Sequence, residues 1–506
     1  MGMTCKELFE GVEATFLGDP SEVVEGLEYR SDAVSPGEAF FCIVGTRVDG
    51  HSFAQDAIDR GAKVIVAERK VYLADATDVV EVIVADSRKA MAQAAANFHG
   101  RPSESLKLVG ITGTNGKTTT TYLVEHIANV VGGRTGVVGT VGVRIGNTLE
   151  PGERTTPEST DLQYLFARMR EANTDVVAME VSSHALDLDR VFGTRFAVTA
   201  FTNLTQDHLD YHKTFEAYFE AKALLFGPLY PARRVINIDD QWGRELLKRC
   251  SEAGDHIIST GFSADAQIHP VSVDYAPAQT SVRLYVRGTE YEFSYPLVGR
   301  FNVSNIMMAF GIGLELGISA ESIVSALQSA PQVPGRLERV KSAYADGVSV
   351  FVDYAHTPDA LTKAISAVKS LSEGRTLVVF GCGGDRDSSK RPLMGKAALE
   401  ADVAILTSDN PRSEDPLSII GMVQDGMKGA EGRYVVEPDR RCAIARAIAL
   451  AEPGDSILVA GKGHEDYQLV GTETLHFSDV EAAAEELEKA HRAAQDRPGR
   501  GGSPCA

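Results

Sequence analysis

The chain has no stretch of eighteen or more apolar residues, so nothing in it is long enough to cross a bilayer as a helix. It also lacks a surplus of positive charge. Fifty Lys and Arg stand against seventy Asp and Glu, a formal charge of -20, and the summed field repels nucleic acid and anionic membrane. An anionic substrate must therefore be held by local basic groups. Cysteine is sparse: Cys5, Cys42, Cys250, Cys382, Cys442 and Cys505 form no CxxC pair and no metal-ligand spacing, which fits reduced thiols better than a disulfide framework. No repeat of solenoid period is present. The opening Met-Gly-Met-Thr-Cys-Lys lacks a basic segment with a long apolar run behind it, and Lys6 stands where a myristoylation motif wants Ser or Thr. No prenylation box closes the chain. These absences lead us to expect a cytoplasmic protein that inserts in no membrane.

What is present is ordinary globular material, 43% hydrophobic and 24% charged. With ~100–200 residues per domain, the 506 residues predict about three domains. Residues 1–107 read as a compact α/β unit in which short apolar runs, Ala39–Val44 and Ala62–Val66, alternate with helix-like segments. Arg101–Ser105 reads as a linker. Residues 108–334 read as a larger α/β domain whose buried strands include Lys107–Ile111, Asp175–Met179 and Val198–Phe201. The prolines and glycine of Pro331–Gly335 end it. Residues 335–494, with strands at Val348–Val352, Thr376–Phe380, Asp402–Leu406 and Ser456–Val459, read as a doubly wound Rossmann-like unit. The Arg-, Gly- and Pro-rich residues 495–506 are expected to be disordered.

The sharpest local signal is Gly110-Ile111-Thr112-Gly113-Thr114-Asn115-Gly116-Lys117-Thr118-Thr119, lying between an apolar strand and an amphipathic stretch. That context predicts a phosphate loop: backbone N–H groups and a helix N-terminus surround phosphate oxygens, Lys117 supplies a point charge, and the Thr118 hydroxyl suits Mg²⁺. The general motif has Gly five places before Gly116, where this chain has Ile111. Glu180 stands at the end of the next predicted strand, and His208 follows the strand after it. In an open parallel sheet such ends face the ligand crevice, so both can approach a phosphate-bound Mg²⁺. His208 and His212 have helical i, i+4 spacing, yet no Glu follows His208 as in HExxH and no third zinc ligand is evident.

Taken together, Thr112–Thr118, Glu180–His184, Asn203–Asp210, Gly299–Asn305 and Asp353–Pro358 resemble, in order and spread over nearly the whole chain, the motifs of the Mur ligases. The resemblance implies three α/β domains, the central one a P-loop ATPase-like parallel or mixed sheet. It also implies ATP-driven addition of an amino acid to a UDP-N-acetylmuramoyl precursor of peptidoglycan. Within the family, Thr155-Thr156-Pro157, the loop Gly381–Asp387 and Asp409-Asn410-Pro411-Arg412 resemble the member that adds the third residue, in its meso-diaminopimelate-using form.

The resemblance also implies residue roles that spacing cannot supply. Gly113, Thr114, Asn115, Gly116, Lys117, Thr118 and Thr119 match the ATP-phosphate loop, and Asn302, Asn305, Arg336 and Asp353 match positions around the base and ribose or the domain junction. Lys222 matches a carbamylated lysine, although a helix-surface lysine beside Glu220 is the simpler reading of the residues by themselves. A carbamate reverses the charge of an ammonium and offers oxygens to a hard cation, so Thr118, Glu180, His208 and Lys222 are the candidate Mg²⁺ set. Thr155, Thr156, Ser182 and Arg190 match contacts to UDP-N-acetylmuramoyl-L-alanyl-D-glutamate, with Ser31 near the uridine. Here the chain reads Arg30-Ser31-Asp32 where the family often has Asp-Ser-Arg. Arg391, Asp409, Asn410, Pro411, Arg412, Gly461 and Glu465 match contacts to meso-diaminopimelate, and Arg412 is the expected discriminator against lysine. The implied reaction passes through an acyl phosphate, in a monomer. The alternatives are a lysine-adding Mur ligase, a folylpolyglutamate synthetase, and, outside enzymes, an ATP-binding regulatory protein.

Overall fold

In the computed structural model, which describes residues 2–45, 48–71, 78–152, 154–276, 279–344 and 347–495, three sheets follow one another along the chain. Expected strands form within a few residues of their expected places because their apolar runs are buried on both faces. The disorder expected of residues 496–506 falls outside the described residues, as does Cys505; Gln495 ends the helix Asp479–Gln495. Among the described residues no helix is long and apolar enough to cross a membrane.

The first sheet has the order Ala14–Leu17, Val80–Val84, Val64–Ala67, Glu38–Phe41, Gly26–Glu28 and is parallel except at Ala14–Leu17. Phe41, Val64, Val66 and Val82 pack with Met91 of helix Ser87–Phe98 on one face, and Phe40 and Ile65 pack with Ala54 and Ala57 on the other.

The second sheet has eleven strands and is mixed. Its centre is parallel, in the order Thr135–Gly139, Val176–Glu180, Lys107–Thr112, Val198–Phe201, Arg233–Asn237, Ile257–Thr260. Antiparallel strands complete both edges, including the unforeseen meander Ile268–Tyr275, Thr280–Val286, Thr289–Tyr295. Helices Lys117–Val130 and Arg300–Glu315 cover one face; Ser159–Glu171, Phe215–Ala223 and Gln241–Glu252 cover the other. The register sets Glu180 opposite Ile111 and Phe201 opposite Thr112, so three strands end side by side where the loop after Thr112 begins.

The third sheet runs Glu338–Arg339, Ser349–Asp353, Ser456–Ala460, Thr376–Phe380, Val403–Leu406, Tyr434–Val436, parallel except for the first pair. Helices Pro358–Lys369, Arg391–Ala398 and Pro416–Gln424 lie on one face, and Arg440–Leu450 and Asp479–Gln495 on the other, so the unit is doubly wound. Val298 and Phe301 join its core from the second unit. A small hairpin, Tyr467–Val470 with Glu473–His476, stands beside Arg412, which bridges Val470.

Candidate active site

The loop after strand Lys107–Thr112 turns on Gly113, whose φ of +146° and neighbours admit no side chain: a Cβ there would lie 1.9 Å from Thr202 Oγ1. The segment after the adjacent strand pins the loop. Thr114 N donates to Asn203 O (2.9 Å), Asn115 N donates to Asn203 Oδ1 (3.0 Å), and Thr202 Oγ1 donates to Asn115 O (2.7 Å). Helix Lys117–Val130 then starts from Gly116 with no side-chain cap, leaving first-turn N–H groups to face an anion. Lys117 Nζ donates back to Gly113 O and Thr114 O, each at 2.9 Å. Lys222, on helix Phe215–Ala223, donates to the same Gly113 O at 2.8 Å and lies 4.5 Å above the Tyr218 ring. It is only 1% exposed, so the surface reading fails; Glu220, two residues away and on another face, pairs with Arg249. Burial, and then the neighbouring Lys117 charge, hold the Lys222 ammonium well below its ordinary pKa.

Glu180 points into the same cleft, where Thr140 N (2.9 Å) and Thr140 Oγ1 (3.1 Å) donate to its carboxylate. Thr140 Oγ1 also meets Thr155 Oγ1 at 3.1 Å, and Thr156 Oγ1 donates to Glu180 O at 2.9 Å while accepting from Ser182 N. Arg190 is tied to this edge through Thr156 O (3.1 Å) and approaches Glu158 at 2.9 Å; Glu158 also meets Arg88 of the first unit at 3.4 Å. His208 adopts a left-handed backbone and lies edge-on to His184, ring centroids 4.9 Å apart. Desolvation lowers its pKa, with the charges of His184, Lys117 and Lys222 acting the same way and Asp207 opposing. Ser31 is elsewhere: it opens a short exposed turn of the first unit, where Arg30 and Asp32 pair with each other at 3.0 Å.

The third unit closes the cleft. Arg336 Nη2 donates to Thr118 Oγ1 at 3.0 Å, and Asp353, Tyr354 and His356, at the end of strand Ser349–Asp353, face the phosphate loop. One cavity of about 470 Å³ is lined by Gly116–Thr119, Thr155, Glu180, Ser182, His208 and Asn305 from the second unit and Arg336, Asp353 and Tyr354 from the third. Asn302 sits behind Asn305, accepting its side-chain N–H at 3.0 Å. The remaining candidates form a cluster at the carboxyl ends of the third sheet. Asn410 Nδ2 donates to Glu465 Oε2 (2.8 Å), and Tyr354 Oη reaches Glu465 Oε1 (3.5 Å), linking cluster to cavity. Arg412 has a left-handed backbone and donates to Gly384 O at 2.7 Å, whereas Arg391 is buried in a two-pronged pair with Glu414 at 2.7 and 2.8 Å. Pro411 and Gly461 complete the two segments, Asp409–Arg412 and Gly461–Glu465.

Comparison with known proteins gives the family. The Mur ligase family catalytic-domain model matches residues 23–99, the Mur ligase middle-domain model residues 111–313, and the Mur ligase glutamate-ligase-domain model residues 335–463. A curated relative from Clostridium botulinum (strain ATCC 19397 / Type A) named UDP-N-acetylmuramoyl-L-alanyl-D-glutamate--2,6-diaminopimelate ligase is 42% identical over 96% of this chain and 99% of its own. The chain belongs to the Mur ligase family. A relative of the same name from Geobacillus kaustophilus (strain HTA426) is 46% identical over 91% of this chain and 94% of its own. A solved structure of an enzyme so named superposes with a TM-score of 0.71 at 31% identity, covering 97% of this chain and 100% of that one.

In this Mur ligase several groups that build the site carried no separate signal. Thr140 reaches Glu180 only through strand register, and Lys462, wholly buried between Asn410 and Glu465, lies unmarked between the candidates Gly461 and Glu465. Asn203 and Asp207 stood within a recognised motif, but their roles as loop anchor and His208 neighbour needed the fold. Asp353 is the cleft's raised carboxyl, moved by burial from 3.8 to about 6 against the opposing Arg336 charge and the Leu337 N–H at 2.7 Å. Because the folded value lies above the unfolded one, its stabilising contribution is full below 3.8 and is lost as pH rises through about 6. We therefore expect Asp353→Asn, which does not titrate, to gain roughly 1 kcal/mol on the unmodified protein between pH 5 and pH 7. Paired unfolding curves at the two pH values check this; a constant gap would contradict it.

Proposed function

We propose that this Mur ligase adds meso-diaminopimelate to UDP-N-acetylmuramoyl-L-alanyl-D-glutamate at the expense of ATP, acting as a cytoplasmic monomer in peptidoglycan precursor synthesis. The observation that carries the reading is the single cavity shared by an uncapped phosphate loop and the strand ends of the third sheet. The relatives' shared name supplies the substrates. In this reading residues 1–107 hold the UDP-sugar, 108–334 bind ATP, and 335–494 bind the amino acid, with Ser31 near the uridine.

The chain's own groups have defined tasks. Gly113–Thr119 and the helix N-terminus hold the ATP phosphates, and Lys117 leaves the carbonyls it now caps to follow charge on the transferring phosphoryl. Thr155, Thr156, Ser182 and Arg190 hold the peptide so that its D-glutamate carboxylate faces the γ-phosphate. A carboxylate oxygen bonds to that phosphorus as the bond to ADP breaks, giving an acyl phosphate. The diaminopimelate amine then bonds to the acyl carbon, losing a proton, and phosphate leaves with its electron pair. Asn302, Asn305 and Asp353 border the nucleotide end.

The donor chemistry suits Mg²⁺. Glu180 presents a carboxylate beside the hydroxyls of Thr118, Thr140 and Thr155, and the desolvated His208 is held toward its neutral form. Two ammonium groups on Gly113 O would oppose a cation, and conversion of Lys222 to a carbamate removes that conflict. Bound Mg²⁺ supplies charge neutralisation at the phosphoryl oxygens.

For the amino acid, Arg412 offers a fork to the second carboxylate that distinguishes diaminopimelate from lysine, with Arg391, Asp409, Asn410, Pro411, Gly461 and Glu465 around it. Incubation with ATP, Mg²⁺ and the dipeptide precursor should give a product of the mass expected for meso-diaminopimelate and little with L-lysine. Arg412→Ala should raise the KM for diaminopimelate on the order of 10–100-fold with ATP binding kept. Equal use of the two amino acids would contradict the specificity, and no amino-acid-dependent phosphate release would contradict the ligase. Separately, burial and the Lys117 charge favour the neutral amine of Lys222, the form that bonds to CO₂ with loss of one proton. ¹³C-bicarbonate should then give a carbamate resonance at neutral pH that Lys222→Ala lacks; its persistence in Lys222→Ala would overturn this assignment.

A further inference from the structure

We infer that Arg440, held by Asp479, is a positioning residue for the amino-acid substrate. The inference rests on the function proposed above and deepens it. Arg440 opens helix Arg440–Leu450, which Asp439 caps by accepting from Cys442 N at 2.8 Å. Its guanidinium is wholly enclosed. Nε donates to Asp479 Oδ1 and Nη2 to Asp479 Oδ2, both at 2.7 Å, with Arg440 2% and Asp479 0% exposed. The donors left over go to backbone: Nη2 to Ala460 O at 3.0 Å and Nη1 to Ser408 O at 3.4 Å.

Those two carbonyls belong to the residues just before Asp409 and Gly461, the first members of the two segments assigned to the amino acid. The strands that lead to them are not neighbours: Thr376–Phe380 lies between Val403–Leu406 and Ser456–Ala460. No ladder hydrogen bond can therefore fix one segment against the other. Beyond the end of the sheet they nevertheless touch. Gly461 has φ +120°, and a Cβ there would lie 2.5 Å from Asp409 Oδ2 and 3.9 Å from Arg440 Nη2. On the substrate side the segments meet again through Asn410 and Glu465.

Only arginine offers a planar fork that can take a carboxylate in two-pronged fashion and still donate to two carbonyls. A buried ion pair adds little stability over apolar groups of the same volume, whereas removing one partner leaves a stranded charge. The directional task that apolar groups could not perform here is to hold both strand ends at one spacing. A shift of about 1 Å between Asp409–Arg412 and Gly461–Glu465 would misplace the groups that grip the amino acid while leaving the phosphate loop untouched.

The test is steady-state kinetics of the full-length enzyme with each substrate varied in turn. The Arg440→Met/Asp479→Leu double variant removes both charges together and should fold with a melting temperature near that of the unmodified protein. Its KM for meso-diaminopimelate should rise at least about tenfold, while the KM for ATP and for the dipeptide precursor stay within about twofold and kcat at saturating amino acid within about threefold. Arg440→Lys keeps the charge and loses the fork; it should show the same selective rise, smaller, and it decides the matter if the double variant does not fold. A folded variant with an unchanged KM for diaminopimelate, or with an equal rise for all three substrates, would overturn the positioning role alone. Absence of product from the unmodified enzyme with diaminopimelate would overturn the proposed function and this inference with it.

Discussion

The carbonyl of Gly113 accepts hydrogen bonds from two lysines, and the electrostatics of the cleft follow from that shared acceptor. Lys117 and Lys222 both place their nitrogens within 2.9 Å of the one oxygen. Two full positive charges at such spacing repel by on the order of 3 kcal/mol at an effective dielectric of about 20. Burial is the larger influence and the Lys117 charge the second, and together they hold the Lys222 ammonium well below its ordinary pKa. The carbamate proposed for Lys222 would place an anion on the same helix, beside Lys117 and Glu180. Gly113 holds that carbonyl with a φ of +146° and no room for a side chain beside Thr202.

The same architectural device is used twice. In the second sheet, parallel register delivers Thr112, Glu180 and Phe201 to one rim; in the third, it sets Asp353 opposite Ala460 and Phe380 opposite Leu406. The two rims share the cavity, bridged by Arg336 at Thr118, and within the third unit Tyr354 reaches Glu465. For a chain of net charge -20, anion binding depends on concentrating cations locally, and Lys117, Arg336 and Lys363 all line this space. A phosphoryl donor and an incoming amine can then be presented to one carboxylate from opposite sides.

Legibility in the sequence followed how local each constraint is. Gly113–Thr119 was readable because loop chemistry is written in consecutive residues, and Glu180 because a strand end needs only a count of the apolar run before it. Lys222 was not readable from its own surroundings: Glu220 at i−2 suggested a surface pair, and only the packing of helix Phe215–Ala223 shows the lysine turned inward. Thr140 and Lys462 act through register and through a loop folded back on its own sheet, contacts between residues that no short pattern joins. The meander Ile268–Tyr295, which adds antiparallel pairs at one edge of the central sheet, was missed because its half-exposed alternation is fainter than the fully buried strands around it.

The central claim is that this cavity activates a carboxylate by phosphorylating it. That claim is tested most directly by labelling the D-glutamate carboxylate of the precursor with ¹⁸O and measuring the mass of the phosphate released during turnover with meso-diaminopimelate. The account predicts one ¹⁸O atom in each phosphate, because the oxygen that bonds to phosphorus leaves with it when the amide forms. Phosphate free of label, with amide product formed, would contradict an acyl-phosphate route and the arrangement of the cleft argued from it.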